Sequence, residues 1–318
     1  MGYIFVLIAL LAGATKGFLG KRISDRVVTE RQSAFVNTIR MVMCIGISLL
    51  TMIPEFISGA VVIDGAALLW GALTGVTLSA FVVSWMLAVK HGAYTLVSVA
   101  QMFGTVVTVM LSLVVFRDPV ELKQIVAIVL LCTSVFFMLS YNKGVKGRLS
   151  LVGIIILVIC GLSSGLNDFS MKLFIAFSEA STSTLNLITY IISSIVLTVF
   201  LLLDRPKKQK QGTQNGEAED ENCMDASASE DAVPKENLLM LLRSTLLPIV
   251  LMAVCLFLNS YFKALSNNYI PPMQLFPIYQ AGGLILSATM SALFFKERIT
   301  PRCVIGLVLS FVAILLLK

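Results

Sequence analysis

The sequence predicts an all-α polytopic membrane protein, with ten transmembrane helices arranged as two inverted five-helix repeats. Three observations predict it. Hydrophobic residues make up 57% of the chain and charged residues only 13%, whereas about a quarter of a soluble domain is charged. The apolar residues come in blocks that approach or exceed the ~20 needed to cross a hydrocarbon core of ~30 Å. A polar signature is also written twice. Gln101 and Gly104 precede Phe116-Arg117-Asp118, and Gln280 and Gly283 precede Phe295-Lys296-Glu297, 179 positions later. Strands of a membrane barrel would alternate and be about half as long, so helices are expected.

The spans are expected near 3–20, 33–53, 67–88, 94–116, 122–141, 150–172, 183–203, 245–266, 272–295 and 302–317. The first has no charged segment before it and has a counterpart later in the chain, so it reads as a span rather than a signal peptide. Val6 stands where a myristoylation signal needs Ser or Thr. Span 1 carries Gly13, Lys16 and Gly17, and span 2 carries Asn37 and Arg40. Span 3 carries Trp85 near its end, and span 4 carries Gln101 early in its course. Span 6 carries Gly161, Gly165 and Asp168, span 7 Asn186, and span 8 Asn259 and Ser260. Span 9 follows Pro271-Pro272 and contains Pro277, Tyr279 and Gln280; the prolines are expected to break its start and free carbonyls near Gln280.

The register of the two copies dates the insertion between them. Gly13 and Gly17 match Gly161 and Gly165 at an offset of 148, Asn37 matches Asn186 at 149, and Ala88 matches Ala264 at 176. The jump falls across a polar stretch at about 204–243, which is basic around Lys207-Lys208 and acidic from Glu217 to Asp231. Such a stretch buries too little apolar surface to offset ordering, so a disordered linker is expected. The units are then 1–143 and 144–318. Because five is odd, the second enters the membrane from the opposite face, which defines an inverted repeat with a site near the midplane between the units.

This arrangement resembles the drug/metabolite transporter superfamily, EamA type. The resemblance rests on ten spans in two five-span units, with Phe-Arg-Asp118 and Phe-Lys-Glu297 before the last span of each. It covers the chain apart from the linker, and it departs at Asp118, where Glu is usual. It implies export or exchange of small metabolites driven by protons or a gradient, and cytoplasmic termini. The charges point the other way. About seventeen of the 24 Lys and Arg fall in loops after odd-numbered spans, which by the positive-inside rule makes those loops and the linker cytoplasmic and the termini external.

Polar groups inside hydrocarbon are costly and each needs a reason. Lys16 and Arg40 approach the same half of the membrane and can together hold an anion; snorkelling to the headgroups is the plainer reading. Asp168 is the one acid well inside a predicted span and is a proton-coupling candidate, since desolvation favours its neutral form; hydrating a polar vestibule with Asn167 is the alternative. Inversion argues against a direct Lys16–Asp168 pair. Gln101, Gln280, Trp85, Ser84, Tyr279, Asn259 and Ser260 form an amide and aromatic set suited to a small polar solute, unless each Gln only bonds a neighbouring helix. Asn37, Asn186 and the Gly-x-x-x-Gly pairs read as helix packing, and Asp118 and Glu297 as ion pairs at span ends. The six cysteines read as small buried hydrophobes.

Enzyme chemistry is not expected. The one histidine, His91, falls in a short loop, which leaves no two-histidine zinc site and no intramembrane Ser-His pair. There is no second intramembrane Asp and no phosphate-binding loop. No cofactor, metal or nucleic acid is expected; the partners are a small solute, the bilayer and, at most, a second copy in a homodimer. The expected function is secondary active transport, with export of a small metabolite or drug-like solute across a bacterial plasma membrane. An importer or exchanger of an anionic metabolite is the alternative within transport, and a membrane sensor or scaffold using the linker is the alternative outside it.

Overall fold

In a bilayer each backbone N–H and C=O must be satisfied within the segment, so apolar runs become helices. The computed structural model describes residues 1–24, 29–91, 94–116, 151–203, 238–294 and 301–317, with shorter helical pieces between 122 and 137. The elements are α1 (Gly2–Ser24), α2 (Glu30–Ser58), α3 (Gly65–His91), α4 (Tyr94–Phe116), α5 (Leu151–Phe177), α6 (Thr182–Leu203), α7 (Leu238–Ser266), α8 (Pro272–Phe294) and α9 (Pro301–Leu317). Thus α1–α4 correspond to spans 1–4 and α5–α9 to spans 6–10. Among the described residues six helices are long and apolar enough to cross a membrane: α1, α2, α3, α5, α6 and α7.

Large apolar side chains cover the exterior, and polar groups are buried beside the apolar core. Leu7, Leu11, Leu50, Val114, Leu151 and Leu203 face outward, whereas Asn37, Arg40, Asp168, Asn186, Asn259 and Lys263 are buried. An apolar exterior with polar groups buried inside suits lipid as the surrounding solvent.

The helix ends explain several boundaries. Thr29 caps α2, accepting from the Gln32 N–H at 3.2 Å. Gly59 ends α2 at φ 67°, a left-handed conformation that suits a residue without Cβ. Asp64 caps α3, accepting from the Ala67 N–H at 2.6 Å. Its carboxylate also accepts from the Ser178 hydroxyl at 2.8 Å and the Glu179 N–H at 3.3 Å. Glu55 accepts from Ser181 at 2.7 Å. Together these bonds fasten the α2–α3 turn to the α5–α6 turn.

Helix packing follows the internal repeat. Exchanging α1 with α5, α2 with α6, α3 with α7 and α4 with α8 preserves the most extensive contacts, although α1–α3 and α3–α4 have no counterpart of similar extent. The α3–α5 contact maps on α7–α1, α3–α6 on α7–α2, and α4–α5 on α8–α1, while α2–α6 and α4–α8 map on themselves. Ser134, which falls in the fifth expected span, donates to the Gly306 carbonyl of α9 at 2.8 Å. Asn37 donates to the Val82 carbonyl at 3.3 Å, and Asn186 accepts from Ser260 at 2.8 Å, so both amides tie helices together.

Five expectations need correction. The helices overrun most of the predicted bounds, since hydrophobicity stops at the headgroups while hydrogen bonding continues. α7 starts at Leu238, inside the stretch assigned to the linker. α8 is unbroken from Pro272 to Phe294. Pro272 is its first residue, where no N–H is needed, and the Pro271 carbonyl accepts from Gln274 and Leu275 at 2.9 Å. Pro277 removes one ladder bond without ending the helix. His91 closes α3 rather than lying in a loop. Cys44 and Cys160 are buried, but Cys132 is exposed. Asp118, Phe295, Lys296, Glu297 and residues 204–237 lie outside the described residues.

Candidate functional site

One cavity, of about 100 Å³, is walled by helices of both units. Helical spacing places its polar groups. On α7, Asn259, Ser260 and Lys263 lie within one turn of each other, and on α5 Ser164, Asn167 and Asp168 do the same; both sets line the cavity. From α1 come Gly13, Lys16 and Gly17, from α3 Phe81 and Trp85, from α4 Ser98 and Gln101, and from α8 Tyr279, Gln280 and Gly283.

The charged group at the centre is an ion pair. Lys263 Nζ donates to Asp168 Oδ1, and the Gln280 amide donates to Asp168 Oδ2 at 3.4 Å. Asp168 is 2% exposed. Lys263 Nζ also lies 4.6 Å from the Tyr279 ring centroid and 5.3 Å from that of Phe276, both within cation–π range. Asn259 donates to the Ala9 carbonyl at 2.7 Å and to the Tyr279 hydroxyl. The amide therefore fixes α1, α7 and α8 to one another. Lys16 Nζ sits 5.9 Å from the Phe81 ring centroid.

Lys16, Trp85, Gln101, Asp168, Tyr279 and Gln280 all line this cavity, as do Asn259 and Ser260; Arg40 does not. Arg40 is 2% exposed, and its Nε has no hydrogen-bond partner among the described residues. The expected Lys16–Arg40 clamp is thus not formed by one cavity wall, because no residue of α2, the helix that carries Arg40, lines the cavity. Ser84 lines a separate apolar groove among α3, α5 and α6. Asp168 is not a lone carboxylate. Lys263 is absent from the residues the sequence nominates, because a lysine near a span end is ordinarily an interface anchor. Its spacing of four from Asn259, on one helix face, is the signal that marks it. Gly13 and Gly17 also take on more than packing, since both border the cavity.

The two matched glycine crossings differ. Gly104 of α4 lies against the Gly161 carbonyl and, 2.8 Å from where a Cβ would sit, the Gly165 nitrogen of α5. Thr108 locks this crossing, donating to the Gly165 carbonyl at 2.8 Å. Its counterpart Gly283 of α8 has no atom of the described residues within 4 Å of the same point, and it borders the cavity. One crossing is closed and the other is open.

The model of a family described as the EamA-like transporter family matches residues 1–140 and again 151–318. No curated protein matches. Twenty-eight chains of solved structures are similar to it. One, a crystal structure described only as that of a protein, aligns over 99% of this chain and 95% of its own, with a TM-score of 0.60 and 11% sequence identity. At that identity the likeness concerns the fold alone.

Proposed function

This chain belongs to the EamA-like transporter family, and from that premise we propose that it is a secondary active transporter of a small solute, working by alternating access between two inverted five-helix units. It is an integral membrane protein of the transporter class. The observation that carries the mechanistic reading is the cavity between the units, polar within and surrounded by apolar helices. The asymmetry of the Gly104 and Gly283 crossings supports a single conformation of a two-state cycle. The opposite state would close the α1–α8 crossing and open the α4–α5 crossing.

The Lys263–Asp168 pair is the coupling element in this reading. A proton reaching Asp168 neutralises its carboxylate and releases the Lys263 ammonium into the cavity. The charge distribution favours external termini and a cytoplasmic linker, and export across a bacterial plasma membrane is the direction that the family resemblance implies. The test is reconstitution. Proteoliposomes loaded with a mixture of small polar metabolites, and energised with a proton gradient, should change their contents relative to protein-free vesicles. No change in any solute under either gradient direction rejects transport.

A further inference from the structure

We infer that the solute held in this cavity is a small monocarboxylate, its carboxylate seated on Lys16. The inference rests on the transport reading and gives it a substrate class.

The argument begins with charge. Two ammonium groups, Lys16 and Lys263, line the cavity, and among the described residues Asp168 is the only acid that does. Asp168 is already engaged by Lys263 through one oxygen and by Gln280 through the other. No described carboxylate lies within ion-pair distance of Lys16, and no described side chain accepts a hydrogen bond from it. Its charged neighbours are Arg40 and Lys263 on the cationic side and Asp168 on the anionic side. The cavity and its immediate surroundings thus hold excess positive charge. An ammonium inside hydrocarbon without a counter-charge is costly, and an anionic occupant removes that cost.

Size and lining narrow the anion. A cavity of about 100 Å³ is smaller than the ~150 Å³ that accepts benzene. A carboxylate with a short body fits; a nucleotide or a sugar phosphate does not. A dianion would bring a second charge into a cavity whose other lining cation, Lys263, is already paired with Asp168. The body of the solute meets Trp85, Phe81, Leu10 and Leu256 on its apolar side and Gln101 and Ser98 on its polar side. A zwitterion is disfavoured because its ammonium would face Lys263 while Asp168 is already paired.

The experiment uses purified full-length protein and four isosteric probes: L-lactate, L-lactamide, L-alaninol and L-alanine, compared at equal ionic strength against sodium chloride. Lactate should raise the unfolding temperature saturably, and the neutral, cationic and zwitterionic probes should not. Lys16→Gln should weaken the lactate effect about tenfold or more, and Lys16→Arg should retain most of it. The wild-type ranking of the four probes needs no variant, and the unliganded melting temperature of Lys16→Gln, read in the same run, reports its folding. No stabilisation by lactate, a larger effect of any other probe, or an undiminished effect in folded Lys16→Gln overturns the carboxylate site. In proteoliposomes loaded with all four probes, lactate should leave first. If lactate stabilises the protein through Lys16 but no probe crosses the membrane, transport fails while the anion site stands. If lactamide or alaninol crosses instead, transport stands and the carboxylate assignment fails.

Discussion

The ammonium of Lys263 on α7 is ion-paired with the carboxylate of Asp168 on α5, and the Gln280 amide on α8 holds the second oxygen of that carboxylate. Three helices of the second unit therefore converge on one buried charge pair in the cavity wall.

Breaking this pair from one side strands the other charge. Asp168→Asn should destabilise the protein by about 3–5 kcal/mol, whereas Asp168→Leu combined with Lys263→Met should recover most of the loss. Thermal unfolding of the purified variants measures both. An Asp168→Asn protein as stable as wild type would show that the pair is not maintained in the folded protein.

The same carboxylate is the proposed proton site. Asp168→Asn should abolish uphill transport driven by a proton gradient while leaving solute exchange at equilibrium. Accumulation and counterflow assays on one proteoliposome preparation separate the two. Uphill transport that persists in Asp168→Asn removes Asp168 from coupling.

The glycine crossings offer a matched pair. Gly104→Ala places a methyl against the Gly161 carbonyl and Gly165 nitrogen, neither of which can move without shifting its helix. It should cost about 1–3 kcal/mol. Gly283→Ala meets no atom of the described residues within 4 Å and should change stability by less than about 0.5 kcal/mol. Because Gly283 borders the cavity, that variant should instead reduce flux. Equal melting temperatures for the two variants contradict the closed and open assignment.

The α2–α3 turn is held to the α5–α6 turn through Asp64. The Ser178 hydroxyl, and then the Ala67 and Glu179 N–H groups, hold the Asp64 carboxyl below its ordinary value of 3.8. A depressed folded-state value means that this contribution is present above 3.8 and is lost as the pH falls through the lower folded value. Lowering the pH from neutrality to about 3 should therefore reduce the wild-type melting temperature more than that of Asp64→Asn. Parallel pH profiles for the two proteins would dissociate Asp64 from acid sensitivity.

Much of this could be read before any coordinates. Block length and composition require helices in lipid, and the doubled Gln, Gly and acid positions reveal two copies of one unit. The polarity of Asn167, Asp168, Tyr279 and Gln280 within apolar spans also marks them as candidates for the interior. The prolines of span 9 misled, because a proline at a helix start needs no partner for its nitrogen. Asp168 looked solitary, because its partner lies 95 positions away on another helix.

That the chain lives in a bilayer, is helical and is internally repeated follows from solvent chemistry and periodicity along one dimension. Only the tertiary structure decided that Lys263 neutralises Asp168, that Lys16 lines the cavity while Arg40 does not, and that the two glycine crossings differ. These depend on how each helix is rotated about its axis and how closely it approaches its neighbours. Packing among all the helices sets those quantities, and no single helix carries them in its own sequence.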